Sequence, residues 1–176
     1  YILFACTLFS QESHEFSGTK AANWLKIETG TRAIGMSGAH TAAGRGITSI
    51  QYNPSSITHI DGTELYYTQS KYILGISKNV LGYGLKLASN NYFGMNLFYL
   101  NSGDIEVTTE QTPSGTGEMY QVTNFCLNTV YGRQINERIR AGVTLKVIRE
   151  DIYTAYMNSY AFDFGGTYQL AGLMLG

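Results

Sequence analysis

The sequence is poor in charged residues and proline, and this narrows the classes of protein it can encode. Lys, Arg, Asp and Glu make up 14% of the chain, whereas about 25% is usual for a globular domain. So low a charge content leaves few residues for the solvated faces of a helical bundle. The net charge is -1 at pH 7, so the chain has no net positive charge that would attract a polyanion. We therefore expect no nucleic-acid partner.

Cysteine and histidine are also scarce, and their spacing excludes the usual metal sites. Cys6 lies in an apolar N-terminal run and Cys126 in an alternating segment, so no disulfide framework or zinc motif follows. His14, His40 and His59 lack the close spacing of metal ligands. The glycine-rich stretches lack a full phosphate-binding pattern, and no serine sits in a nucleophile elbow. The sequence predicts no metal, no cofactor and no enzymatic activity.

The chain contains no apolar run long enough for a membrane-spanning helix, which needs about 20 residues. Its longest such run, residues 1–9, is followed by the polar segment 10–15. This order resembles the end of a secretory signal whose basic start is missing, because the chain opens on Tyr1. We expect an exported protein in which residues 1–17 are a signal-peptide remnant and leader.

Aromatic residues and glycine are abundant, and they favour strands and tight turns. The chain has 14 Tyr, 8 Phe and 20 Gly. From Gly62 onward, apolar residues recur at every second position, as in strands with two different faces. Six strands are predicted, at residues 64–70, 80–88, 93–100, 124–132, 138–148 and 160–168, with a seventh starting at Leu173. Residues 89–91 and 134–136 are predicted tight turns, and residues 101–120 a long polar loop.

The segment before the strands has a different composition and predicts a compact, irregular unit. Thr19 can cap a short helix over residues 21–27. Five glycines between Gly30 and Gly46 then prevent long regular elements. Residues 18–61 are therefore predicted to form one glycine-bent segment with a small helix, ahead of the strands at 62–176.

The two faces of the predicted strands differ in a way that favours a membrane barrel. One face is rich in Leu, Phe, Tyr and Met, as lipid requires, and tyrosines recur near the strand ends. The opposite face is small or polar and suits a wet lumen. The predicted lumen-facing residues are Lys86, Asn96, Asn128, Arg140, Lys146 and Asp163. The charges among them either guide a solute or pair with one another.

Six or seven strands cannot close a membrane barrel, because such barrels begin at about eight strands. An open edge in lipid would leave backbone groups without hydrogen bonds. We therefore expect the chain to be an N-terminal fragment. Its predicted fold class is all-β, a partial transmembrane antiparallel β-barrel with a short N-terminal plug.

Several segments together resemble the PorV/PorQ family of FadL-like outer-membrane proteins. The segments are GTKAANWLKI at 18–27, TRAIGMSGA at 31–39, YNP at 52–54, GVTLKVIRE at 142–150 and AFDFG at 161–165. The resemblance implies a barrel of about fourteen strands in the bacterial outer membrane, closed by residues 18–57. It places Arg32, Asn53 and Pro54 in this plug as a gate, although all three could simply pack the plug.

The resemblance leaves two roles open: a conduit for hydrophobic small molecules, or an accessory protein of type IX secretion with a secreted protein as client. A conduit requires a continuous apolar track inside the barrel, whereas a secretion partner would use its long loops. The alternative from a different class is a secreted soluble β-sheet protein that binds lipid or glycan.

Overall fold

The computed structural model describes residues 22–176, so the predicted leader, Thr19, Cys6 and His14 lie outside the described residues. The strands are β1 Thr63–Lys71, β2 Ser77–Ala88, β3 Asn91–Asn101, β4 Ile105–Glu106, β5 Met119–Tyr120, β6 Val122–Gln134, β7 Ile139–Ile152, β8 Ala155–Leu170 and β9 Leu173–Leu175. Seven of them form one antiparallel sheet in the order β1-β2-β3-β6-β7-β8-β9. The other two, β4 and β5, pair only with each other.

The sheet confirms the predicted antiparallel β structure. Each of the six predicted strands is present, and the seventh begins at Leu173 as expected. Within residues 22–176 the sheet is open, with β1 and β9 at its two edges, and no closed barrel forms. The alternation of apolar residues did not predict β4 and β5, because each has only two residues and two residues are too few to show an alternation.

The connections between the strands differ at the two ends of the sheet. At the turn end lie the short connections 89–90, 135–138 and 171–172. In the second of these, the Asn136 side chain accepts hydrogen bonds from the backbone N–H groups of Arg138 and Ile139, at 2.8 and 2.7 Å. The opposite, loop end carries the segment 102–121, which includes the β4–β5 hairpin and confirms the predicted long loop.

Residues 22–61 lie against one face of the sheet, and we call this segment the plug and that face the inner face. Its elements are a 3₁₀ helix at Asn23–Lys26, α1 at Thr31–Gly35, and 3₁₀ helices at Ile47–Ser49 and Pro54–His59. The small helix predicted over residues 21–27 is thus a single 3₁₀ turn. Ala22 precedes it with a φ of 56° and provides no side-chain cap.

Two apolar clusters join the plug to the inner face. The loop-side cluster packs Trp24 against Phe98, with ring centroids 5.2 Å apart, and includes Val80, Leu100, Cys126 and Ile148. The turn-side cluster packs four plug isoleucines, Ile47, Ile50, Ile57 and Ile60, against Tyr92 and Val130. Burying an isoleucine side chain stabilises a fold by roughly 1.5–3 kcal/mol. The core of the described protein therefore lies between the plug and the sheet.

Candidate functional site on the inner face

Glycines on five neighbouring strands provide the space in which the plug lies. A Cβ atom added at Gly94 would lie 2.8 Å from Cδ1 of Ile57, and one at Gly142 would lie 2.5 Å from the carbonyl carbon of Pro54. Both distances are shorter than real Cβ atoms show. The inner-face glycines with such plug contacts, here called the glycine track, are Gly82, Gly84, Gly94, Gly132, Gly142 and Gly165. Because these positions have no side chains, the plug can approach the strand backbone closely along the glycine track.

Asn53 and Pro54 join the plug to strands β7 and β8, near the β9 edge of the sheet. The Asn53 amide nitrogen donates to the backbone carbonyls of Thr41, at 3.0 Å, and Gly166, at 2.9 Å. Its carbonyl oxygen accepts from the backbone and the hydroxyl of Ser55, at 3.0 and 2.8 Å, and so caps the 3₁₀ helix that Pro54 begins. All four hydrogen bonds hold the plug in one conformation.

Charged side chains of the strands bind the backbone of the plug. Lys78 is 1% exposed, and its ammonium donates to the carbonyl of Glu28 at 2.5 Å and to the hydroxyl of Tyr72 at 3.0 Å. Three further bonds join Arg140 to the Thr58 carbonyl at 2.9 Å, the Ile47 N–H to Glu64 at 2.8 Å, and the Ala22 N–H to Glu150 at 3.1 Å. These four side chains hold the plug mainly through its backbone, and Arg140 also donates to the Thr58 hydroxyl at 3.4 Å.

A polar row crosses the inner face between the two apolar clusters. Asn96, Asn128 and Lys146 are cross-strand neighbours on β3, β6 and β7. Lys146 forms an ion pair with Asp163 of β8, with Nζ and Oδ2 2.5 Å apart. Both asparagines are 2% exposed. The two apolar clusters are therefore separated along these three strands.

The remaining candidate residues, Lys86 and Arg32, are exposed. Lys86 lies on the inner side of β2 near the turn end, with its ammonium 5.8 Å from the centre of the Tyr92 ring. Arg32 belongs to α1 and lines a cavity with Arg45. The structure thus brings Asn96, Asn128 and Lys146 into one row and pairs Lys146 with Asp163 of the adjacent row. It joins Arg140, Asn53 and Pro54 to the plug contacts, and it leaves Lys86 and Arg32 apart.

Sequence reasoning missed Lys78, Glu64, Glu150 and the glycine track. Lys78 continues the inner-face alternation of Gly82 and Lys86, so starting the strand two residues earlier would have included it. The track could have been predicted from glycines that recur on one face of several strands, since a strand glycine often marks close backbone approach.

His59 is the half-buried last residue of the plug helix Pro54–His59, and its titration should make the plug sensitive to pH. Burial lowers its pKa from the usual 6.5 to about 4, and the charges of Arg140 and Arg45 act in the same direction. The folded protein thus favours the neutral imidazole. The contribution of His59 to stability is complete above pH 6.5 and is lost as the pH falls towards 4.

We expect acid to loosen the plug through His59. In the full-length protein, protease cleavage within residues 45–61 should increase as the pH falls from 6.5 to 4. A His59→Gln variant should show a weaker pH dependence in the same assay, because glutamine does not titrate. Identical pH profiles for the two proteins would rule out this role of His59.

The outer face of the sheet is apolar and exposed. Following the strand register gives three rows, which we call the apolar band. The rows are Leu65, Tyr83, Met95, Thr129, Leu145 and Phe162; Tyr67, Leu81, Leu97, Leu127, Val147 and Tyr160; and Thr63, Leu85, Phe93, Tyr131, Val143 and Phe164. No member of the band is charged. Phe164 is 81% exposed and Leu65 is 75% exposed.

Polar residues border the apolar band at both ends of the sheet. On the loop side the next row contains Gln69, Asn79, Arg149 and Asn158 together with Tyr99 and Phe125. On the turn side Asn91 and Arg133 follow the band. On β3 and β6 the outer face therefore changes from polar to apolar and back, whereas on β7 and β8 the turn-side positions are Ala141 and Gly166.

Comparisons with models of known protein families and with curated protein sequences found no match for this chain. Among the helices of residues 22–176, none has the length and apolar character needed to cross a membrane. The same part of the chain contains no group of three or more His, Cys, Asp or Glu side chains that could hold a metal ion.

Proposed function

We propose that this chain forms part of an outer-membrane β-barrel of the PorV/PorQ kind, with a plugged interior and loops that engage a secreted protein client. The observation that carries the proposal is the distribution of side chains on the two faces. The exposed outer face is continuously apolar, whereas the covered inner face combines two apolar clusters with glycine, asparagine and charged residues. A soluble sheet buries its apolar face, while a barrel in lipid exposes it.

The dimensions of the strands support the same proposal. A tilted strand needs about 9–11 residues to cross the hydrocarbon core of a bilayer. The strands β2, β3, β6, β7 and β8 have 12, 11, 13, 14 and 16 residues. Soluble monomers rarely expose an apolar patch larger than a few hundred Å². Lipid would cover the apolar band, and the polar rows would lie near the two interfaces.

The inner face favours a secretion role over a conduit for hydrophobic molecules. A conduit needs a continuous apolar track, but the row of Asn96, Asn128 and Lys146 separates the two clusters. Tyr66, on the edge strand β1, packs against both clusters. On β3, β6 and β7, an apolar molecule that moved between the two clusters would have to pass the buried amides of Asn96 and Asn128 and the Lys146–Asp163 ion pair, which is unfavourable.

The loop end provides an ordered surface for a client. In the β4–β5 hairpin, the Tyr120 ring lies 5.3 Å from that of Tyr153, which belongs to the β7–β8 turn. The Tyr153 hydroxyl donates to the carboxylate of Glu118 at 3.0 Å. The long loop is therefore attached to its neighbouring turn.

Shortening this loop in the full-length protein tests the proposal. Replacing residues 107–117 by a tight turn should leave the barrel in the outer membrane but cause the client protein to accumulate in the periplasm. A matched change of the turn at 135–138, at the opposite end of the sheet, should leave secretion unchanged. Normal secretion with reduced uptake of a hydrophobic solute would instead support a conduit. Recovery of the unmodified protein in the soluble fraction would exclude the membrane proposal.

A further inference from the structure

A cavity of about 460 Å³ lies between the plug and the β8–β9 hairpin, away from the polar row. Its polar groups come from Arg32 and Arg45 of the plug and from Gln169 of β8, and its apolar wall includes Ala42, Ala43 and Leu173. The small side chains leave space beside Arg32 and Arg45.

Neither arginine has an acidic partner among the residues that the structure describes. Within residues 22–176 the ion pairs are Lys146–Asp163 and Arg149–Asp151, and neither Arg32 nor Arg45 donates a side-chain hydrogen bond. The Glu64 carboxylate accepts from the Ile47 N–H and forms no ion pair with Arg45. Arginine side chains present five donors in a planar fork that matches carboxylate and phosphate oxygens.

The positive charges of the two arginines contribute to the lowered pKa values of His40 and His59. Burial is the largest cause that lowers the pKa of His40, and Arg32 adds to it. At His59, Arg45 contributes to the lowered pKa after burial and Arg140. This side of the plug is therefore an electropositive environment that favours anions.

The backbone around the cavity is fixed by hydrogen bonds. His40 Nε2 and the Ser49 hydroxyl are 2.9 Å apart, and that hydroxyl donates to the Arg45 carbonyl at 3.1 Å. Asn53 binds the carbonyl of Thr41, next to the alanine wall, and that of Gly166 on β8. The plug side and the strand side of the cavity are thus joined, so a ligand would meet a largely preformed site.

We propose that this cavity is an oxyanion-binding site in which Arg32 and Arg45 hold a carboxylate or phosphate group between them, with the Gln169 amide as a further donor. The apolar wall of Ala42, Ala43 and Leu173 accommodates a short carbon chain on the anion. The site does not depend on the secretion role, because it rests on the cavity and its two unpaired arginines.

Binding of inorganic phosphate and of butyrate to the detergent-solubilised full-length protein, measured by isothermal titration calorimetry at low salt, tests the site. Replacing Arg32 or Arg45 by Gln should weaken binding about tenfold each, as expected when a charge-assisted hydrogen bond is lost. Arg133→Gln removes the same charge from an exposed position on the outer face and should leave binding unchanged. Circular dichroism confirms that the variants fold.

Each outcome of the titration either supports or overturns the proposed oxyanion site. Saturable binding of butyrate alone identifies a carboxylate ligand, and binding of phosphate identifies a phosphate ligand; both support the site. No saturable binding of either anion overturns it. Equal losses in Arg45→Gln and Arg133→Gln also overturn it, since they would show only general charge attraction.

Discussion

Replacing Phe162 by Arg should make folding into a bilayer less favourable by about 2–4 kcal/mol, the cost of placing arginine near the midplane of an outer-membrane barrel. Phe162 lies in the central row of the apolar band and is 65% exposed. In a soluble sheet, the same change at an exposed position would alter stability by only about 0.5 kcal/mol or less. The variant therefore separates a lipid-facing position from a water-facing one.

The matched control for Phe162→Arg is Asn158→Arg on the same strand and the same face. Asn158 lies opposite Arg149 in the polar border row. Near the bilayer interface the cost of arginine falls to about 0–1 kcal/mol. Refolding of the full-length protein into vesicles, followed by urea titration, gives both free energies. Similar small values at the two sites would contradict the assignment of the apolar band to lipid.

Replacing Gly142 by Ala should displace the plug and cost about 1–3 kcal/mol, as overpacking of a buried site does. The added methyl group would lie 2.5 Å from the Pro54 carbonyl carbon and 2.7 Å from the Ser55 nitrogen. These atoms are backbone, so no change of side-chain rotamer relieves the contact. Hydrogen exchange across Pro54–His59 and the free energy of unfolding should both report the change.

The matched control for Gly142→Ala is Gly166→Ala on the neighbouring strand. Gly166 lies opposite Ala141 on the outer side, and an added methyl group there would come within 3.3 Å of only the Arg140 carbonyl oxygen. Hydrogen exchange across Pro54–His59 should therefore stay close to that of the unmodified protein. An equal loss of hydrogen-exchange protection across Pro54–His59 in the two alanine variants would argue against the proposal that the plug packs on the glycine track.

The strands were predictable because their pattern is local. The alternation of Leu145 with Lys146, repeated along each segment, determines both the strand and its two faces. The plug contacts were not predictable in this way. Gly142 carries no signal of its partner, since Pro54 lies nearly ninety residues earlier in the chain, and a strand glycine can also mark a bulge.

In the candidate site, too, features that follow from a local pattern were predictable, whereas contacts between distant segments were not. The prediction that Asn96, Asn128, Lys146 and Asp163 share one face followed from alternation, and the structure places all four on the inner face. Alternation could not predict that Lys78 would bind the carbonyl of Glu28, fifty residues away. The partner there is a backbone oxygen, which any residue type provides.

Spin labelling along β8 would show whether the apolar face contacts lipid while the opposite face is enclosed. Single cysteines would be introduced at residues 159–164 of the full-length protein after Cys6 and Cys126 are replaced by Ser, then labelled and studied in lipid vesicles. We expect high accessibility to oxygen at positions 160, 162 and 164 and low accessibility at 159, 161 and 163. High accessibility of positions 160, 162 and 164 to a water-soluble nickel chelate would contradict this expectation.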